Sequence, residues 1–154
     1  MNRLQKFNQL SRPEKLLFLQ TMLVLTSVTL GLRALPWLKL QRLLLKLANW
    51  HARSAVRRRV SLLSISRSIR AASHYIPKAT CLPQALTAQH LLIWNSYPAD
   101  FQIGVAKDAN GKLEAHAWVT SQNKIIVGGE GTTNRFVSLS AVERQSVHDY
   151  GKFF

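Results

Sequence analysis

Cys81 is the only cysteine in the chain, and its setting is that of a nucleophile. It opens Cys81-Leu82-Pro83-Gln84-Ala85-Leu86, which reads as the first turn of a helix, since proline is tolerated there. Unpaired backbone N–H groups at a helix start carry partial positive charge, a field that favours a thiolate. Further on, His116 lies in Glu114-Ala115-His116-Ala117-Trp118-Val119, which reads as a strand. An imidazole beside a thiol can take its proton and later return it. Without further context a lone cysteine is more often an inert buried residue, and a lone histidine on a strand is usually ordinary. His51, His74, His90 and His148 lack any such context and read as structural or exposed.

The elements that must position this pair follow from the pattern of residue types. The helix is expected over Cys81 to about Asn95, ended by Ser96-Tyr97-Pro98. Phe101, Ile103 and Val105 alternate with Gln102, Gly104 and Ala106, the mark of a half-buried strand. Asp108-Ala109-Asn110-Gly111 is a hairpin turn. In the next strand Leu113, Ala115, Ala117 and Val119 point one way, and Glu114, His116, Trp118 and Thr120 the other. A third strand is expected over Lys124 to Val127, after which Gly128-Gly129-Glu130-Gly131 leaves the sheet. Trp118 and Gln84 are candidates to line a substrate site, with packing beside the site as the first reading of Trp118. Glu114 reads as a surface residue, and Asp100 and Asp108 as structural.

Charge divides the chain. Residues 1–80 hold 15 Lys/Arg and one acid, Glu14, whereas residues 81–154 hold six of each sign, so the net +14 lies in the first half. Such asymmetry marks a surface for an acidic partner or an anionic lipid face, with an ordinary solvated basic face as the plain alternative. No nucleic-acid recognition motif, aromatic stacking stripe or zinc-finger spacing is present, so nucleic acid is not an expected partner. One cysteine excludes an internal disulfide, and no cofactor or metal is expected.

The basic half reads as three helices. Ser11-Arg12-Pro13-Glu14 is a helix start with a capping box. The 17 residues from Leu16 to Leu32 carry no charge, at the short edge of a membrane span. We read them as a buried or partner-covered helix, with membrane insertion as the alternative. Leu35-Pro36 ends it. A basic amphipathic helix is expected over about Trp37 to Arg53, and a third over about Ser61 to His74, stopped by Pro77. The expected architecture is α+β: a helical region, 1–75, packing on or docking beside a core, 76–154, in which a nucleophile helix packs on an antiparallel sheet.

Cys-Leu-Pro-x-Ala-Leu followed by Glu-Ala-His-Ala-Trp-Val, a turn and a short strand ending in Gly-Gly resembles one family over residues 76–140. It is the transglutaminase-like, papain-like leader peptidase of lasso-peptide biosynthesis, the carboxy-terminal half of the "B" maturation protein. The amino-terminal leader-recognition half is not expected here, because the first eighty residues read as helical. The resemblance implies a cysteine protease that removes the leader from a ribosomally made precursor. It would act with a separate leader-recognition protein, before an ATP-dependent cyclase joins the freed amine to an acidic side chain. Cys81 would be the nucleophile and His116 the base and acid, in the cytoplasm, with contact to the inner membrane face open. The family commonly has an Asp about a dozen residues after the His; here Val127, Gly128 and Gly129 stand there. Glu130 is the nearest acid and the candidate third member; a backbone carbonyl orienting the ring is the alternative. The Cys81 N–H is the natural first oxyanion donor. Two other functions stay open on the residues: a non-proteolytic acyl-transfer enzyme of transglutaminase or amidase type, and a basic membrane- or partner-binding scaffold in which the cysteine is idle.

Overall fold

The structure, a computed structural model, describes residues 11–53, 60–129 and 135–138. Four helices precede a four-stranded antiparallel sheet: α1 Arg12–Ala34, α2 Trp37–Arg53, α3 Leu62–Ser73, α4 Cys81–Trp94, β1 Asp100–Lys107, β2 Leu113–Ser121, β3 Lys124–Val127 and β4 Val137–Ser138. The fold is α+β, with strand order β3-β2-β1-β4.

α4 is the centre. Nine of its residues between Pro83 and Leu92 are buried, including Ala85, Leu86, Ala88, Leu91 and Leu92. A helix apolar on all sides must be covered on all sides. β2 and β3 cover one side, and α1, α2 and α3 the other. Ile65 and Ile69 of α3 join Leu91, Leu92, Val119 and Ile126 in one core cluster. Val24 and Val28 of α1, Leu40 of α2 and Leu86 form a second. Fully burying each such side chain stabilises the fold by about 1.5–3 kcal/mol, so the first turn of α4 is held rigidly.

α1 starts as its sequence demands. The Ser11 amide and hydroxyl both donate to Glu14 Oε2, at 2.9 and 2.7 Å. Those bonds, the hydroxyl's foremost, hold the exposed Glu14 carboxyl below its ordinary range. Leu35 is extended, as a residue before proline must be, and ends the helix. Gly31 lets α2 approach closely: a Cβ there would lie 3.0 Å from Leu40 Cδ1. The uncharged stretch is neither wholly buried nor wholly bare. Leu17, Thr21, Val24, Leu25 and Val28 face the core, while Leu16, Leu19, Leu23 and Leu30 form an exposed stripe. By length and composition α1 could cross a membrane, and it is the one such helix among the described residues. Inside the bundle, Ser68 of α3 donates to Thr21 Oγ1 at 2.8 Å, tying α3 to α1.

The sheet is a meander with one return. Gly104 of β1 pairs with His116 of β2, and Ile103 with Ala117. β4, which alternation does not reveal, pairs with β1 through Gly104 and Val105. The β2 face carrying His116 is not a solvent face along its length. Trp118, two residues on, is 1% exposed. Its ring fills the space that Gly104 and Gly128 leave open, where added Cβ atoms would lie 2.8 Å from its Cη2 and 2.3 Å from its Cβ.

Candidate active site

Cys81 is the first residue of α4, after an extended Thr80. Its amide is one of the helix-start donors that no carbonyl of the helix can reach. The side chain is half-buried at the surface of a cavity of about 340 Å³. His116, half-buried on β2, lines the same cavity, with Gln84, Ser66, Arg70, and the β3 strand running into Gly128 and Gly129. Thiol and imidazole, 35 positions apart in sequence, are thus brought to one cleft between the start of α4 and the sheet.

The imidazole is fixed on two sides. Its Nε2 lies 2.9 Å from the Gly128 carbonyl oxygen. A carbonyl only accepts, so Nε2 carries the proton of the neutral ring and Nδ1 presents its lone pair. Nδ1 has no hydrogen-bond partner among the described residues. The ring also stacks on Phe136, with centroids 5.1 Å apart. Phe136 is buried and carries Arg135 above its ring, and Arg135 pairs with the exposed Glu114. Trp118 lies under the site rather than on its wall, 6.4 Å from the His116 ring and near-parallel to it.

The Gly128 carbonyl can reach His116 because only glycine fits there. Its φ is +119°, and a side chain would collide with Trp118. Gly129, also at positive φ, has no atom of the described residues within 4 Å of where a Cβ would sit. The candidate third member, Glu130, lies outside the described residues. Among the described residues, a backbone carbonyl occupies the orienting position on the imidazole.

Gln84 lines the cleft one turn after Cys81, with its Nε2 bonded to the Ala79 carbonyl at 2.7 Å. That bond ties the loop before the nucleophile to α4. Opposite, Ser66 of α3 donates to the Ile126 carbonyl at 2.7 Å, locking α3 to β3. Ser66, Arg70 and Phe136 were not singled out by sequence reasoning. Ser66 and Arg70 reach the site through helix packing. Phe136 comes back to it on the chain that forms β4.

His90 is buried in α4 away from the cleft. Nδ1 bonds to the Leu44 carbonyl at 3.1 Å, and Trp94 packs edge-on. Burial pushes its pKa down, with a smaller push from His51, against the raising effect of the Leu44 bond. Its role is structural.

A half-buried thiol at a helix N-terminus and a strand-borne imidazole line one cleft on an α+β scaffold, the arrangement a cysteine-based site requires. A family model for the transglutaminase-like superfamily matches residues 22–141, and the chain belongs to that superfamily. Its members are typically cysteine-based enzymes. No curated protein and no solved structure matches the chain.

Proposed function

We propose that this protein is a cysteine peptidase that removes the leader from a lasso-peptide precursor, with Cys81 as nucleophile and His116 as base and acid. The single observation that carries the enzymatic part is the cleft that Cys81 and His116 share, with His116 Nε2 held by the Gly128 carbonyl and Nδ1 without a hydrogen-bond partner among the described residues. The paired hexapeptides around Cys81 and His116 support the leader-peptidase part.

In this reading His116 Nδ1 takes the thiol proton as Sγ attacks the scissile carbonyl carbon. The oxyanion forms at the start of α4, where the Cys81 N–H points outward. The tetrahedral adduct collapses, His116 returns the proton to the leaving amine, and a thioester remains on Cys81. Water, deprotonated by His116, then attacks the thioester and frees the leader carboxylate and the thiol. These steps use no cofactor.

The helical half fits the proposed partners, a separate leader-recognition protein and the cyclase. Leu16, Leu19, Leu23 and Leu30 are exposed along α1. Along α2, Leu43, Leu47 and Trp50 are exposed beside Lys39, Arg42 and Lys46. An anionic membrane face would suit the same surface, and we place the protein in the cytoplasm.

The test is mass spectrometry of the precursor peptide incubated with the recognition protein and either wild type or Cys81→Ala. Loss of a leader-sized fragment with wild type only, with one water added across the products, supports the peptidase. A product joining two molecules would replace it with a transferase. No reaction with a confirmed bound partner would refute both.

A further inference from the structure

Among the described residues lining the cleft, Arg70 is the one cation, and no acid lines it. Arg70 sits in the last turn of α3, one turn after Ser66 and on the same face. The Ser66 bond to Ile126 and the buried Ile65 and Ile69 fix that face against β3. The Ser73 hydroxyl bonds the Arg70 carbonyl and caps the turn. The guanidinium itself is exposed and has no ion-pair partner among the described residues. By contrast, Arg67, one turn earlier, lines a second cavity beside Glu14 and feels its charge. A cation at a helix C-terminus also favours the helix dipole, which would be its whole role if it did not reach substrate. Yet a guanidinium on the wall of the cleft that Cys81 also lines, without an ion-pair partner among the described residues, is placed to take a carboxylate with its planar fork.

Resting on the reading of Cys81 as nucleophile, we propose that Arg70 is a specificity-determining residue that selects substrates carrying a carboxylate near the carbon Cys81 attacks. The source of that carboxylate is an acidic side chain beside the scissile bond or a free chain terminus.

The chain has a single cysteine, so the experiment needs no known substrate. Iodoacetate and iodoacetamide are nearly the same size and differ by one negative charge. The rate of Cys81 alkylation by each, read by intact mass, gives a preference ratio that cancels the intrinsic reactivity of the thiol. Arg70→Ala should lower the iodoacetate-to-iodoacetamide ratio by about three- to tenfold, the range of a partly exposed ion pair focused by a cleft. Arg70→Lys should restore part of it, and added salt should lower the wild-type ratio toward that of Arg70→Ala. Arg67→Ala, which removes the same charge outside the cleft, should leave the ratio at the wild-type value. Equal ratios for Arg70→Ala and wild type, or equal losses for both arginine variants, would overturn the proposal. A thiol no faster than free cysteine toward iodoacetamide would instead refute the nucleophile reading, and the ratio would still report on Arg70. With peptides, Asp-to-Asn exchange beside the scissile bond and amidation of the terminus separate the two sources. Loss of the Arg70-dependent preference on one exchange names that source. Loss on neither overturns the proposal.

Discussion

Substituting Gly128 by alanine should disable the site while an alanine one residue later should not. A Cβ on Gly128 would lie 2.3 Å from Trp118 Cβ and 3.2 Å from its Cα, with φ at +119°. Carbon atoms rest at about 3.5 Å or more, so the two backbones must part by about 1 Å. Trp118 is fully buried and cannot yield, so the loop carrying Gly128 moves. Its carbonyl accepts from His116 Nε2 at 2.9 Å, and a shift of about 1 Å takes that bond out of range. Strain at φ and overpacking together should cost about 2–6 kcal/mol of stability. The misplaced imidazole should lower kcat by about 10²-fold. Gly129→Ala, at φ +82° with no atom of the described residues within 4 Å of an added Cβ, should cost about 1–2 kcal/mol and keep kcat near wild type. The assay is kcat and KM for leader removal, with a thermal melt to confirm that each variant is folded at the assay temperature. A folded Gly128→Ala protein with wild-type kcat, or equal kcat losses in both variants, would refute the idea that this carbonyl orients the imidazole.

Other outcomes follow from the same contacts. Glu130→Gln should keep most of its turnover, because the Gly128 carbonyl already orients the ring, whereas His116→Ala should lose about 10²- to 10⁴-fold; equal losses would restore an acid to the third position. His90 is buried with its pKa pushed down, so the unfolded chain takes up a proton more readily than the folded one. Stability should therefore be level above about pH 6.5 and fall as pH drops below it, and His90→Gln should flatten that fall in denaturant titrations at several pH values. If the exposed stripe of α1 and the basic face of α2 dock the partners, Leu23→Glu or joint charge reversal of Arg42 and Lys46 should weaken pull-down of the recognition protein or binding to anionic vesicles. Unchanged binding to both would remove docking from these helices.

What the sequence discloses is governed by how local each cause is. The start and course of α2 are legible, because Pro36 starts it and alternating leucines and cations carry it. β3 and the start of α4 are legible too, from a turn before the one and a proline inside the other. Cys81 stands out as the single cysteine, and His116 because, of five histidines, it is the one set in a motif. Trp118 reads as packing beside the site and is found buried there, but how it is accommodated depends on Gly104 and Gly128 opening space from other segments. β4, Phe136 and Arg70 reach the site only through tertiary packing, so no local pattern marks them. Val127, Gly128 and Gly129 stand where the family commonly has its Asp, and Glu130, the nearest acid, lies outside the described residues. Gly128 can offer His116 only a backbone carbonyl, and the structure uses that carbonyl.

The most direct test of the central claim, that Cys81 and His116 work as a pair, is the rate of iodoacetamide alkylation at neutral pH, followed by intact mass. Wild-type Cys81 should react faster than free cysteine, and His116→Ala should bring the rate down toward that of the free amino acid. Identical rates for wild type and His116→Ala in folded protein would contradict the pairing and leave Cys81 an ordinary thiol at the edge of a cleft.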